Sequence, residues 1–186
     1  MKKQRINFLK ECKMHLACSD NDIRPVMQYI YFKDGFAYAS DAHILVKNKL
    51  SEITEGFSDE QLSLLDGKLM HKTSFRKILE YDFVRIGETG IECLTQFSTI
   101  EFRFSADASL KYPNAEAVIS MAKEKNEPIN RVSLSAKLYH RLYQSLYNDD
   151  RLVLNFSKSE HHGILVKSQD KYIESEAVIM PIMIRE

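Results

Sequence analysis

Polar and apolar positions along this chain change period in a recurring order, helical first and then alternating. From Asn7 to Ala17 the apolar residues Phe8, Leu9, Cys12 and Leu16 fall at helical spacing, with Lys10 and Lys13 on another face and Asn7 as a cap. The polar run Ser19-Asp20-Asn21-Asp22 ends this predicted helix. Tyr29 to Phe32 and Phe36 to Ala39 then flank Lys33-Asp34-Gly35, a hairpin turn with glycine where positive φ is wanted. Ile44 to Lys47 supplies a third strand.

The same order returns twice. Lys68-Leu69-Met70 predicts a short strand, and Thr73 or Ser74 caps a helix carrying Phe75, Ile78 and Leu79. Strands follow at Val84 to Ile86, Ile91 to Leu94 and Thr99 to Phe104. After Pro128, Arg131 to Leu134 reads as a strand and Ser135 caps a helix from Ala136 to about Asn148. Leu152 to Phe156, Gly163 to Lys167 and Glu176 to Ile182 close the third unit. The pattern therefore predicts an α+β fold of helix-plus-three-strand units, repeated at roughly 60-residue spacing, with antiparallel sheets backing the helices. Between the units, residues 50–67 form an acidic loop with room for a helical turn. Residues 105–127 end in Lys123-Glu124-Lys125-Asn126-Glu127, which reads as a solvated linker.

Composition narrows the picture without deciding it. At 186 residues, 44% hydrophobic and 28% charged, the chain can bury a core and is not disordered. Its 26 basic and 26 acidic residues cancel, so no overall basic excess points to nucleic acid, although a local basic face remains open. Cys12, Cys18 and Cys93 are an odd set without a CxxC pair, as expected of reduced thiols in a cytoplasmic protein. No apolar run approaches the ~20 residues that cross a bilayer. Enzyme chemistry finds little support: GxSxG, P-loop and paired metal-ligand spacings are missing from the sequence. An enzymatic reading would need a cleft at Asp41 and His43, and His161-His162 reads as a surface turn.

Several stretches, in order, resemble landmarks of the bacterial DNA sliding clamp, the beta subunit of the replicative polymerase. They are Arg24-Pro25 before the hairpin, and Ala39-Ser40-Asp41-Ala42-His43-Ile44-Leu45 in place of a family stretch ATDGHRL. Tyr112-Pro113-Asn114 stands in place of a family Phe-Pro-Asp, and the tail Met180-Pro181-Ile182-Met183 in place of MPMRL. The resemblance implies a DNA-clamp-like fold truncated to about one and a half clamp domains. Residues 1–120 would be a complete domain like the middle clamp domain, and residues 121–186 half of the third.

A clamp holds duplex without reading bases, through cationic helix side chains that meet phosphates. The resemblance therefore marks Lys10, Lys13, Lys72, Arg76, Lys77, Lys137 and Arg141 as DNA-facing candidates, although each taken singly fits an ordinary solvated helix face. It also implies a pocket for partner peptides, such as a polymerase segment. Ser40, Ala42, His43, Ile44 and Leu45 would form one wall, Phe75 another, and Val178, Met180, Pro181, Ile182 and Met183 the floor. Methionine and branched side chains beside a rigid proline suit apolar peptide anchors. Ala42 and Ile44 depart from the family's glycine and arginine, which alters the entrance. No cofactor is implied. Tyr139, Tyr143 and Tyr147 form a stripe that packs inward or against another copy, and a homo-oligomer follows as an expectation, dimer or tetramer, since a family ring holds twelve such units. The competing expectation is a clamp-fold adaptor or mimic that binds proteins only.

Overall fold

The computed structural model describes residues 5–21, 23–123, 132–148, 150–156 and 163–182. Where a helix is expected over Asn7 to Ala17, the chain lays down a two-residue strand, β1 (Asn7–Phe8), and a single 3-10 turn, Met14–Ala17. Tertiary packing overrides the local period: Phe8 is drawn edge-on against Phe75 at 5.2 Å and is 2% exposed. The hairpin follows as expected, with β2 (Tyr29–Lys33), β3 (Phe36–Ser40) and then β4 (Ile44–Lys49). Asp34 and Gly35 turn it at φ values of 50° and 78°, the double positive φ of a two-residue hairpin loop. After β5 (Thr54–Glu55), which pairs with β1, the acidic interval carries α1 (Asp59–Ser63) behind a Ser58–Gln61 capping box.

The second unit comprises β6 (Leu69–His71), α2 (Lys72–Ile78), β7 (Val84–Ile86), β8 (Gly90–Leu94) and β9 (Thr99–Arg103). His71 caps α2, where Thr73 or Ser74 is expected: its ring nitrogen accepts from the Thr73 amide at 3.3 Å. Ahead of the expected linker, of which residues 124–127 lie outside the described residues, the chain forms a helix that was not expected, α3 (Ala115–Lys123), which buries Ala115, Ile119 and Ala122 on one face. In the third unit, Ser135 caps α4 (Ala136–Ser145) as expected, and β10 (Leu152–Asn155), β11 (Ile164–Ser168) and β12 (Glu176–Ile179) follow. The strand expected over Arg131 to Leu134 is a single bridge between Ser133 and Ile182.

The sheets are antiparallel. β7-β8-β9 stand alone, while β10-β11-β12-β4-β3-β2-β6 form one seven-stranded sheet. Its seam is the pairing of β12 with β4, the third strands of the third and first units. On one face of the sheet lies the main core, which runs from Phe8 and Phe75 to Leu142, Ile164 and Ile179. α3 packs on the opposite face over Tyr38, Leu45, Leu165 and Val178.

Two polar knots close the seam. Asn48, fully buried, donates to the Ser145 carbonyl at 2.9 Å and accepts from the Tyr147 amide at 2.9 Å, so β4 holds the end of α4. Glu176, 3% exposed, is met by Lys123 at 2.9 Å, Lys167 at 3.2 Å and Lys47 at 3.5 Å. A carboxylate so buried needs that many cations around it.

Candidate functional site

Between β3 and β4 the chain makes a polar bend. Asp41 Oδ1 accepts from the amides of His43 and Ile44, both at 2.9 Å, and Ser40 Oγ donates to the Ile44 carbonyl at 2.8 Å. This side-chain scaffold holds Ala42 at φ 74°, a left-handed conformation that a residue with a Cβ adopts only under constraint. The C-terminal segment docks on the bend: Val178 lies opposite Leu45 in the β12–β4 pairing, and the Met180 amide donates to the His43 carbonyl at 2.8 Å.

The two segments enclose a groove of about 210 Å³. Ser40, Ala42, His43, Ile44, Leu45, Val178 and Met180, all candidates from the sequence, line it together. Arg24, Met27, Tyr112, Pro113, Ala115 and Val118 complete the wall and are absent from the candidate set. Their signal was partly present, because Arg24-Pro25 and Tyr112-Pro113-Asn114 are landmarks of the resemblance. The helical spacing of Ala115, Ile119 and Ala122 would have found α3.

Phe75 is corrected: it is 1% exposed in the core against Phe8 and forms no wall of the groove. Pro181 and Ile182 continue past the groove, where the Ile182 amide bonds the Ser133 carbonyl at 2.8 Å. Met183 lies outside the described residues, as do His161 and His162.

α3 is pinned as a wall by Glu116, which takes a bond from the Tyr38 hydroxyl at 2.6 Å and pairs with Lys47 at 2.7 Å. Tyr112 stacks on Tyr31 with centroids 5.1 Å apart. Its hydroxyl is buried without a hydrogen-bond partner, and burial raises its pKa well above the usual phenol value. Gly163 sits behind the floor: a Cβ there would lie 2.3 Å from a Val178 methyl. Through Arg24, Met27, Ala42 and His43 the groove opens into a polar cleft of about 1070 Å³ that also holds Asp20, Asp41 and Arg141.

The cationic candidates fall into two kinds. Lys13, Arg76, Lys77 and Lys137 are exposed. Lys10 is also exposed but pairs with Asp82 at 2.9 Å. Lys72 and Arg141 are half-buried and already paired within the protein. Lys72 binds Asp20, and Arg141 donates to the Leu16 carbonyl at 2.7 Å and to Asp41 at 2.8 Å.

Electrostatics shows which of these cations are neighbours. The pKa of His15 falls to about 4, through burial first and then through Arg76, Lys13 and Lys72. The Asp20 carboxyl is held below its ordinary range by its bond and charge pairing with Lys72, with Arg141 and Lys137 adding to the field. The 3-10 turn, α2 and α4 therefore share one cationic field.

Catalytic features are sparse. Burial pushes the Cys18 and Cys93 thiols up to about 12 and Cys12 further, which keeps all three protonated. Among the described residues no group of three His, Cys, Asp or Glu converges as a metal site would require, and no helix is long and apolar enough to cross a membrane.

This architecture is the fold of the bacterial DNA sliding clamps. Neither a protein-family model nor a curated protein sequence matches the chain. Solved structures do. The DNA polymerase sliding clamp of Bacillus subtilis superposes with a TM-score of 0.62 at 11% identity, over 100% of this chain and 66% of the clamp. The Bartonella birtlesii sliding clamp bound to griselimycin gives 0.62 at 15% identity, over 95% and 63%. The Helicobacter pylori beta clamp bound to a DNA ligase peptide gives 0.63 at 12% identity, over 97% and 65%. The chain thus spans about two-thirds of the length of the clamps it matches.

Proposed function

We propose that this chain is a sliding-clamp-like tethering or processivity factor: it holds duplex DNA non-specifically along its cationic helical side and captures a partner peptide in the groove. Residues 1–120 act as a complete clamp-like domain and residues 121–186 as half of one. The single observation that carries the reading is the β12–β4 seam. One join brings the tail's Val178 and Met180 onto the Ser40–Leu45 bend and sets α4 beside the 3-10 turn, next to α2. Groove and cationic field are therefore two products of the same packing.

Each half has a physical rationale. An apolar floor with methionine, valine and leucine accepts bulky peptide anchors. Exposed Lys13, Arg76, Lys77 and Lys137 suit phosphates, while Arg141 acts on DNA only through the shape it imposes. That the Helicobacter pylori clamp was solved with a DNA ligase peptide supports a peptide as the occupant of the groove.

The test has two independent arms. Duplex and primed DNA are titrated with the protein at rising salt, in the parent and in a Lys13→Glu, Arg76→Glu, Lys137→Glu variant. Steep salt weakening in the parent and loss in the variant are expected. Separately, a labelled peptide with leucine and phenylalanine anchors is titrated against a copy with alanine at both anchors. Peptide binding without DNA retention at low salt makes the protein a protein-only adaptor. Loss of both ends the reading.

A further inference from the structure

The polar side chains among the described lining of the groove fall in two places. Arg24 and His43 stand where the groove meets the polar cleft, and Ser40 and Tyr112 stand inside it. Ser40 is committed to the fold: its hydroxyl donates to the Ile44 carbonyl at 2.8 Å and accepts from the Ala42 amide at 3.1 Å. Tyr112 differs. Its hydroxyl is closed off from solvent and no protein group bonds it. Burial holds the phenol protonated, so it stands there as a donor.

Such a group lowers stability, because it leaves water without gaining a bond. Phenylalanine would fill the same place without that cost, and the family stretch that Tyr112-Pro113-Asn114 resembles begins with phenylalanine. The ring itself is fully used. It stacks on Tyr31 with centroids 5.1 Å apart and planes at 23°, and it packs against the outer core of Tyr38, Leu45 and Val178. The hydroxyl has no role inside the chain.

Its neighbours show how it can be reached. Cys18 is the titratable group that acts on it, and next to Cys18 the Ser19 amide bonds the Met27 carbonyl at 2.9 Å. The hydroxyl therefore lies on the Met27 side of the groove, beside an unbranched thioether that repacks at small cost. An occupant can uncover it by displacing one side chain, without moving the backbone.

We infer that Tyr112 is a specificity-determining residue of the groove: its hydroxyl donates to a carbonyl oxygen that the bound peptide carries next to its apolar anchor. This assignment rests on the groove being a peptide site, and it adds what the peptide must present there. Bulky apolar anchors satisfy the carbon lining. A carbonyl acceptor within reach of Tyr112 is what separates a peptide from any other apolar occupant. Discrimination at such a point is steep, because an occupant without the acceptor leaves the hydroxyl unpaired in the complex as well.

Tyr112→Phe deletes the hydroxyl and keeps the ring and its stack. Urea unfolding of the free protein should show a small gain in stability, whereas affinity for the labelled peptide with leucine and phenylalanine anchors should fall about tenfold. A merely structural role would move both in one direction. Copies of the peptide with a thiocarbonyl, a weaker acceptor, at one position each should locate the bond. One copy should bind the parent more weakly than the plain peptide does and lose that difference against Tyr112→Phe. The unmodified protein adds a spectroscopic readout, since a phenol that begins to donate shifts its absorption to the red; that shift on peptide addition should be absent from Tyr112→Phe. Equal peptide affinity of parent and Tyr112→Phe overturns the inference and leaves the groove reading standing. A destabilised Tyr112→Phe overturns it too, by showing that the hydroxyl has a partner inside the fold. Failure of the peptide to bind the parent ends the groove reading itself, and this inference with it.

Discussion

Arg141 on α4 reaches Asp41 in the β3–β4 bend at 2.8 Å, and the same guanidinium holds the Leu16 carbonyl at 2.7 Å. Asp41 meanwhile orders the bend through its other oxygen. One arginine thus fixes the cationic 3-10 turn and the groove entrance in a single geometry. Arg141→Met preserves the stem and deletes the fork, leaving a side-chain carboxylate that is 9% exposed without its cation. The expected cost is about 3 kcal/mol, the usual penalty for stripping one partner from a buried ion pair, read from urea unfolding. Peptide affinity should fall with it.

Asn48 gives a sharper test of the seam, because it joins β4 to the end of α4 without any charge. Asn48→Leu keeps the volume, strands the Tyr147 amide and leaves the Ser145 carbonyl only the weak Cys12 thiol donor at 3.3 Å. One buried donor left unsatisfied should cost about 1–3 kcal/mol in the same measurement.

His15 sets an acid limit. Its folded pKa of about 4 lies below the ordinary imidazole value of 6.5, so the unfolded chain takes up the proton first. Its contribution to stability is complete above pH 6.5 and declines as the pH falls toward 4. His15→Gln should flatten the stability profile across that window. An unchanged slope would mean that His15 is solvated in the folded protein, because burial is the larger cause of its lowered pKa.

Gly163 has no side chain because Val178 occupies the space. Gly163→Ala puts a methyl into the groove floor from behind, which must shift Val178 and with it Met180. Peptide affinity should drop at least about tenfold, or about 1.4 kcal/mol, with DNA retention unchanged. Equal loss of both would indicate damage to the fold.

Whatever depended on near neighbours was legible in the chain. The Asp34-Gly35 turn with the strands on either side of it, the Ser135 cap of α4 and the polar bend at Ser40–Leu45 are local choices, set by alternation, capping oxygens and one glycine. The clamp-like class followed from the order of short stretches, and the solved clamps share its fold.

Long-range pairing decided the rest. Phe8 has helical spacing around it and is a strand residue, because the aromatic core at Phe32 and Phe75 outweighs a few tenths of a kcal/mol of local propensity. Phe75 left the groove for the same reason. The spacing of Ala115, Ile119 and Ala122 marks α3 as a helix, but what covers its apolar face is the outer face of a sheet assembled from both ends of the chain. The groove itself exists only once β12 lies against β4, with Val178 opposite Leu45, 133 positions apart, and Ala177 opposite Val46, 131 apart. Periodicity records which face a residue presents; it carries no information about which distant strand will meet it.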